Sequence, residues 1–80
     1  MNARLEILDA WKQHLQSGNP EPTTLKLSLL KAYDLCKLGR DELGDLSQHL
    51  LLYGPRYLEK SGFYGLKVVI VTTGPDIAFE

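Results

Sequence analysis

Leu66-Lys67-Val68-Val69-Ile70-Val71-Thr72-Thr73 is the stretch that decides the fold class of this 80-residue chain. Before it, Ile7 is the only isoleucine or valine, and leucine supplies nearly all the aliphatic bulk. β-Branched side chains are stiff at χ1 and suit a pleated surface, whereas leucine suits helices. The chain therefore reads as a helical body followed by a strand over 66–73. Leu66, Val68 and Ile70 point to one face of that strand, Val69 and Val71 to the other. Apolar residues on both faces call for cover on both. Thr73-Gly74-Pro75-Asp76 is a turn signal, and Ile77-Ala78-Phe79-Glu80 can return as a short second strand. So little β-forming sequence elsewhere makes association the leading functional question.

Upstream, residues 2–17 have the spacing of a first helix, with Leu5, Leu8, Trp11 and Leu15 on its inward stripe and Ile7 at the margin. Gly18 stops it and Asn19-Pro20 prevents its continuation. Thr23 or Thr24 caps a second helix running to about Leu38, ahead of Gly39. Leu25, Leu29, Ala32, Tyr33 and Cys36 share one of its faces; Leu27, Leu35 and Leu38 form a second. A helix apolar on two sides sits between layers, and one of those layers can be another chain. A third helix starts near Asp41, or with Asp45 as N-cap, and places Leu43, Leu46, Leu50 and Tyr53 inward. Gly54-Pro55 breaks it, and Pro55 begins a short fourth turn that Ser61-Gly62 ends. The expected architecture is α+β in a single small domain spanning 1–80. It has three main helices, a short fourth turn, and a C-terminal strand or β-hairpin.

Composition narrows the function classes. A formal charge of −1 gives no general attraction to nucleic acid or anionic membrane. The one cysteine, Cys36, excludes an internal disulfide and fits a reducing compartment. The start Met1-Asn2-Ala3-Arg4 lacks an apolar signal core, and no apolar run reaches the length of a membrane span. A cytoplasmic protein is expected. His14 and His49 fall on different helices without ligand-spaced partners, so no metal is expected. Cys36 lies on an apolar helix face and reads as a core residue. Gly62-Phe63-Tyr64-Gly65 has no phosphate-loop spacing and precedes a strand where such loops follow one. Neither a cofactor nor an enzymatic activity is expected.

The resulting expectation is a non-enzymatic interaction or regulatory module. Its partner is a second copy of itself or another protein chain, met through the C-terminal strand and the second helix. The interface residues are Leu27, Leu35, Leu38, Tyr57, Tyr64, Val69 and Val71. Three helices followed by a hairpin also give an order of elements similar to that of the winged-helix domains. In that likeness Tyr57-Leu58-Glu59-Lys60-Ser61-Gly62-Phe63 resembles the end of a recognition helix entering the wing. The resemblance implies nucleic-acid contacts from Arg56, Lys60 and Lys67. Gly54-Pro55 and the small number of cations depart from the pattern of a duplex reader.

Overall fold

The computed structural model describes residues 2–80. Its elements follow in the order α1 (Ala3–Gln16), β1 (Thr24–Ser28), α2 (Leu29–Cys36), α3 (Arg40–Leu43), α4 (Leu46–Tyr53), α5 (Tyr57–Ser61), β2 (Lys67–Val71) and β3 (Ile77–Phe79). The fold is α+β, as the residue pattern implies. No helix among the described residues is long and apolar enough to cross a membrane.

The β-branched run forms β2, and its partner comes from within the chain. Residues 24–28, expected as the start of a helix, are instead the central strand of a three-stranded sheet in the order β2-β1-β3. Thr24-Leu25-Lys26-Leu27-Ser28 alternates polar and apolar with period two, which a helix cannot use but a half-buried strand can. Ser28 then turns the chain into α2, its side chain accepting a hydrogen bond from the Lys31 N–H at 3.1 Å. β1 runs parallel to β2, with Leu25 opposite Val68 and Leu27 opposite Ile70. It runs antiparallel to β3, with Leu25 opposite Phe79 and Leu27 opposite Ile77. Thus β2 and β3 flank β1, and the expected C-terminal hairpin does not form. The link between them crosses the end of β1, where the Ser28 N–H donates to the Asp76 carbonyl at 2.9 Å.

All the core-forming helices pack on one face of this sheet. Leu25, Leu27, Val68 and Ile70 make the floor, and Ile7, Ala32, Leu35, Leu50, Leu58, Phe63 and Leu66 close over it. The opposite face carries Lys26, Val69, Val71 and Ala78, with Lys26 ion-paired to Glu80 at 2.7 Å. On α1 the inward stripe is Ala3 and Ile7 with half-buried Trp11, while Leu5 and Leu15 are exposed. The stripe is rotated because α1 packs toward β3: the Trp11 and His14 rings lie 6.1 and 5.4 Å from that of Phe79. Lys31 of α2 reaches Glu6 of α1 in an ion pair that raises the lysine pKa. Arg4 donates to Glu42 at 2.7 Å, and that hydrogen bond holds the Glu42 carboxyl below the usual range. Stability from this depressed carboxyl is present above its ordinary value and is lost as pH falls toward the folded one. The pair is at the surface, so its contribution is small.

Between α5 and β2 the chain reverses in a tight turn. Phe63 and Leu66 exchange backbone hydrogen bonds of 3.0 and 2.9 Å, while Tyr64 and Gly65 both hold positive φ, at 50° and 80°. Two such residues make the primed turn that matches strand twist. Gly62 enters it with φ 73°, and a Cβ there would stand 2.8 Å from the Leu66 carbonyl oxygen. This close approach aims β2 at β1.

Three substitutions test the packing. Gly62→Ala is expected to destabilise the domain by about 2 kcal/mol or more, since both backbone conformation and space forbid the methyl. Gly18→Ala, where φ is also positive but nothing lies within 4 Å of the new Cβ, should cost only about 1 kcal/mol. Equal unfolding midpoints in urea for the two variants would refute the clash. Trp11→Ala is expected to cost about 3 kcal/mol, the low end for a core tryptophan because this one is half-buried. A midpoint unchanged from the parent would show that the indole carries no packing load.

Candidate binding surface on α4 and α5

Leu50-Leu51-Leu52 puts three leucines on an eight-residue helix. Successive helical positions diverge by about 100°, so one core face cannot hold all three. Leu50 is buried, with Ser47 beside it and Leu46 packed partly against the core. Leu51 and Leu52 are 77 % and 76 % exposed, and Tyr53, expected inward, is 65 % exposed. The reason lies in the break that follows. Gly54 takes φ 83° and its N–H caps α4 on the Leu50 carbonyl. The chain then folds back through Pro55, and Leu58 of α5 is fully buried in the core.

The same break brings α5 alongside α4 and assembles a ring cluster. His49 and Tyr53, four residues apart on α4, lie with their ring centroids 5.2 and 5.3 Å from that of Tyr57 on α5. His49 and Tyr53 are 6.4 Å from each other, and the three planes agree within 22°. The centroids therefore form a triangle, since a column would place the outer pair nearly twice as far apart. The rings with Arg56 and Lys60 line an open groove of about 470 Å³. Arg56 donates to Glu59 Oε1 at 3.3 Å, and Glu59 Oε2 accepts the outward Ile70 N–H of β2 at 3.3 Å. Lys60 makes no ion pair among the described residues. The His49 Nδ1 lies 3.0 Å from the Asp45 carbonyl; donation there leaves Nε2 free.

The sequence-derived interface residues do not gather on one surface. Leu27 and Leu35 are fully buried in the chain's own core, so neither presents area to a partner. Leu38 is half-buried against that core, because residues 24–28 leave the helix that had seemed two-faced. Val69 and Val71 are half-buried on the sheet face away from the helices. Tyr64 is exposed at the 63–66 turn, its ring edge-on to Phe63. Tyr57 alone joins the groove, in company with Arg56 and Lys60. Lys67 lies outside it on β2. The wing that the winged-helix order implies is missing, since β2 and β3 are separated by β1, and α5 has only five residues.

Cys36 is half-buried, and desolvation pushes its thiol pKa up, which disfavours the reactive thiolate. Among the described residues no group of three or more His, Cys, Asp or Glu side chains could hold a metal ion. The α4–α5 surface presents exposed aliphatic area beside near-parallel rings and two cations. No protein-family model, curated protein or solved structure matches the chain.

Proposed function

We propose that this protein is a non-enzymatic interaction module that self-associates through the outer face of α4. The observation that carries this reading is the exposure of Leu51, Leu52 and Tyr53 as one contiguous stretch of a helix whose other side is seated in the core. Such apolar continuity is unusual on an isolated surface, whereas singly scattered leucines are ordinary. The open sheet face is a weaker candidate: Val69 and Val71 share it with the Lys26–Glu80 ion pair, the mixed character of a solvated sheet.

A second copy fits the face by charge as well as by shape. A two-fold axis across α4 sets the helices antiparallel and pairs like residues with like. Arg40, Asp41 and Asp45, which together carry a net negative charge, precede the helix. They would face Arg56, Glu59 and Lys60, which carry a net positive charge beyond its other end. Burying the exposed parts of six side chains, three per copy, yields roughly 9–12 kcal/mol at 1.5–2 kcal/mol each. The loss of free motion costs at least about 4 kcal/mol. The balance is at most about 5–8 kcal/mol, which sets a dissociation constant no tighter than about micromolar, a reversible dimer.

Sedimentation velocity over a concentration series tests this. The parent is expected to move from monomer to dimer as concentration rises to about 1 mM. Leu51→Ser/Leu52→Ser should stay monomeric with an unchanged circular dichroism spectrum, while Val69→Ser/Val71→Ser should dimerise like the parent. A parent that is monomeric throughout, or an α4 variant that dimerises normally, would overturn the proposal.

A further inference from the structure

We propose that the groove between α4 and α5 binds an unpaired nucleotide, with the base against the Tyr53 and His49 rings and the phosphate on Lys60 and Arg56. The inference goes beyond self-association and uses the His49 side of α4; Tyr53 is shared with the associating face, so binding is read at protein concentrations where the chain is monomeric. Leu52 points directly away from the core, with Leu51 to one side of it and His49 to the other.

Three observations converge on that chemistry. The rings of His49, Tyr53 and Tyr57 lie within 22° of parallel, and Tyr53 is mostly exposed, so a planar group can extend the cluster. Base–aromatic stacking of this kind tolerates any base, because every base has a π-face. Second, Arg56, the N-cap residue of α5, and Lys60 within α5 line the groove beside those rings. Two adjacent positive groups disfavour a cationic ligand, which rules against an aromatic cage for ammonium groups. An acidic peptide would satisfy the charges and leave the rings unused. A nucleotide satisfies both, and a groove of about 470 Å³ is within the range of small-ligand sites.

Third, the polar groups have donors to spare. Glu59 is the carboxylate nearest the cations, and it is held: one oxygen takes Arg56 and the other the Ile70 N–H. A guanidinium has five N–H donors, so most of those on Arg56 stay open to a phosphate. Lys60 contributes an unpaired charge. With Glu59 present the net charge of the cluster is small, so affinity should depend more on stacking than on salt. Duplex nucleic acid hides its base faces and lacks the feature the rings require.

Fluorescence anisotropy and NMR titration with defined probes test the proposal. They are adenosine monophosphate, a labelled thymidylate oligomer of about ten residues, a duplex of like length, and inorganic phosphate. The parent and Leu51→Ser/Leu52→Ser are used in parallel, so that a failure of self-association cannot be mistaken for a failure of the groove. Binding of the oligomer, at least tenfold tighter than the duplex or inorganic phosphate, is expected in both proteins. Shifts with the mononucleotide at the same residues would identify the free nucleotide as sufficient; binding by the oligomer alone would identify the strand as the ligand. Tyr53→Ala, at an exposed position where folding is not at stake, should weaken binding roughly tenfold or more. Lys60→Gln should weaken it severalfold and flatten its salt dependence. No binding of any nucleotide probe, equal binding of duplex and single strand, or binding indifferent to Tyr53→Ala would each overturn the assignment.

Discussion

The parallel pairing of β1 with β2 is the constraint on which the rest of this structure depends. It joins residues 24–28 to residues 67–71, and everything between them is the connection. The helices of that connection have eight, four, eight and five residues. Isolated helices shorter than about 12–15 residues are marginal in water, so none of these stands alone. They are held by the apolar floor that the pairing creates, with Leu25 beside Val68 and Leu27 beside Ile70. β3 then extends that floor with Phe79 and Ile77, although three residues of strand could not organise a sheet without β1 already in place. Because its central contact is non-local, the domain must close a long loop before most of its core is rewarded.

How far this arrangement could be read from residues alone varies along the chain. The 67–71 strand was legible because Val68, Val69, Ile70 and Val71 admit little else. Its partner was hidden: Leu25 and Leu27 are leucines, and they extend a plausible helical stripe through Leu29 and Ala32. The competing evidence was the strict alternation over 24–28 and the capping serine at 28, which together mark a strand meeting a helix. On α1 the expected inward stripe through Leu5, Leu8, Trp11 and Leu15 keeps Trp11, but packing toward Phe79 turns Ala3 and Ile7 inward and leaves Leu5 and Leu15 exposed. The glycines were more reliable guides, since breaks near Gly18, Gly39, Gly54 and Gly62 all occur.

The binding surface was half visible for a related reason. Tyr57, Arg56 and Lys60 were already suspected, each for its own chemistry. Tyr53 reads more readily as a core residue on the inward stripe of the third helix, and His49 draws attention only as a possible metal ligand. Gly44 interrupts that helix and Gly54-Pro55 ends it, and Leu58 of α5 is buried in the core. The i,i+4 spacing of His49 and Tyr53 sets two of the rings side by side, but only the approach of α5 to α4 adds the third. The leucine triplet at 50–52 was the readable signal, since a helix with a single core face must leave part of such a run in water.

Edge protection connects the sheet to that surface. An unpaired strand edge is the usual route by which a small β-containing domain associates, and here both edges are restrained. β3 is three residues long, and on β2 the outward Ile70 N–H is taken by Glu59. That carboxylate is also the partner of Arg56, so closing the sheet edge and positioning a groove cation are one interaction. Replacing Glu59 would free Arg56 and expose the edge together, shifting the balance from contacts made by side chains toward contacts made by backbone. With the edge occupied, the apolar area still facing water lies mostly on helices, with Leu51, Leu52 and Tyr53 on α4 and Leu30 and Tyr33 on α2. Under the proposed self-association, contact would fall to a helix face, where partner choice depends on side-chain shape and charge, and not to a sheet edge, where pairing is promiscuous.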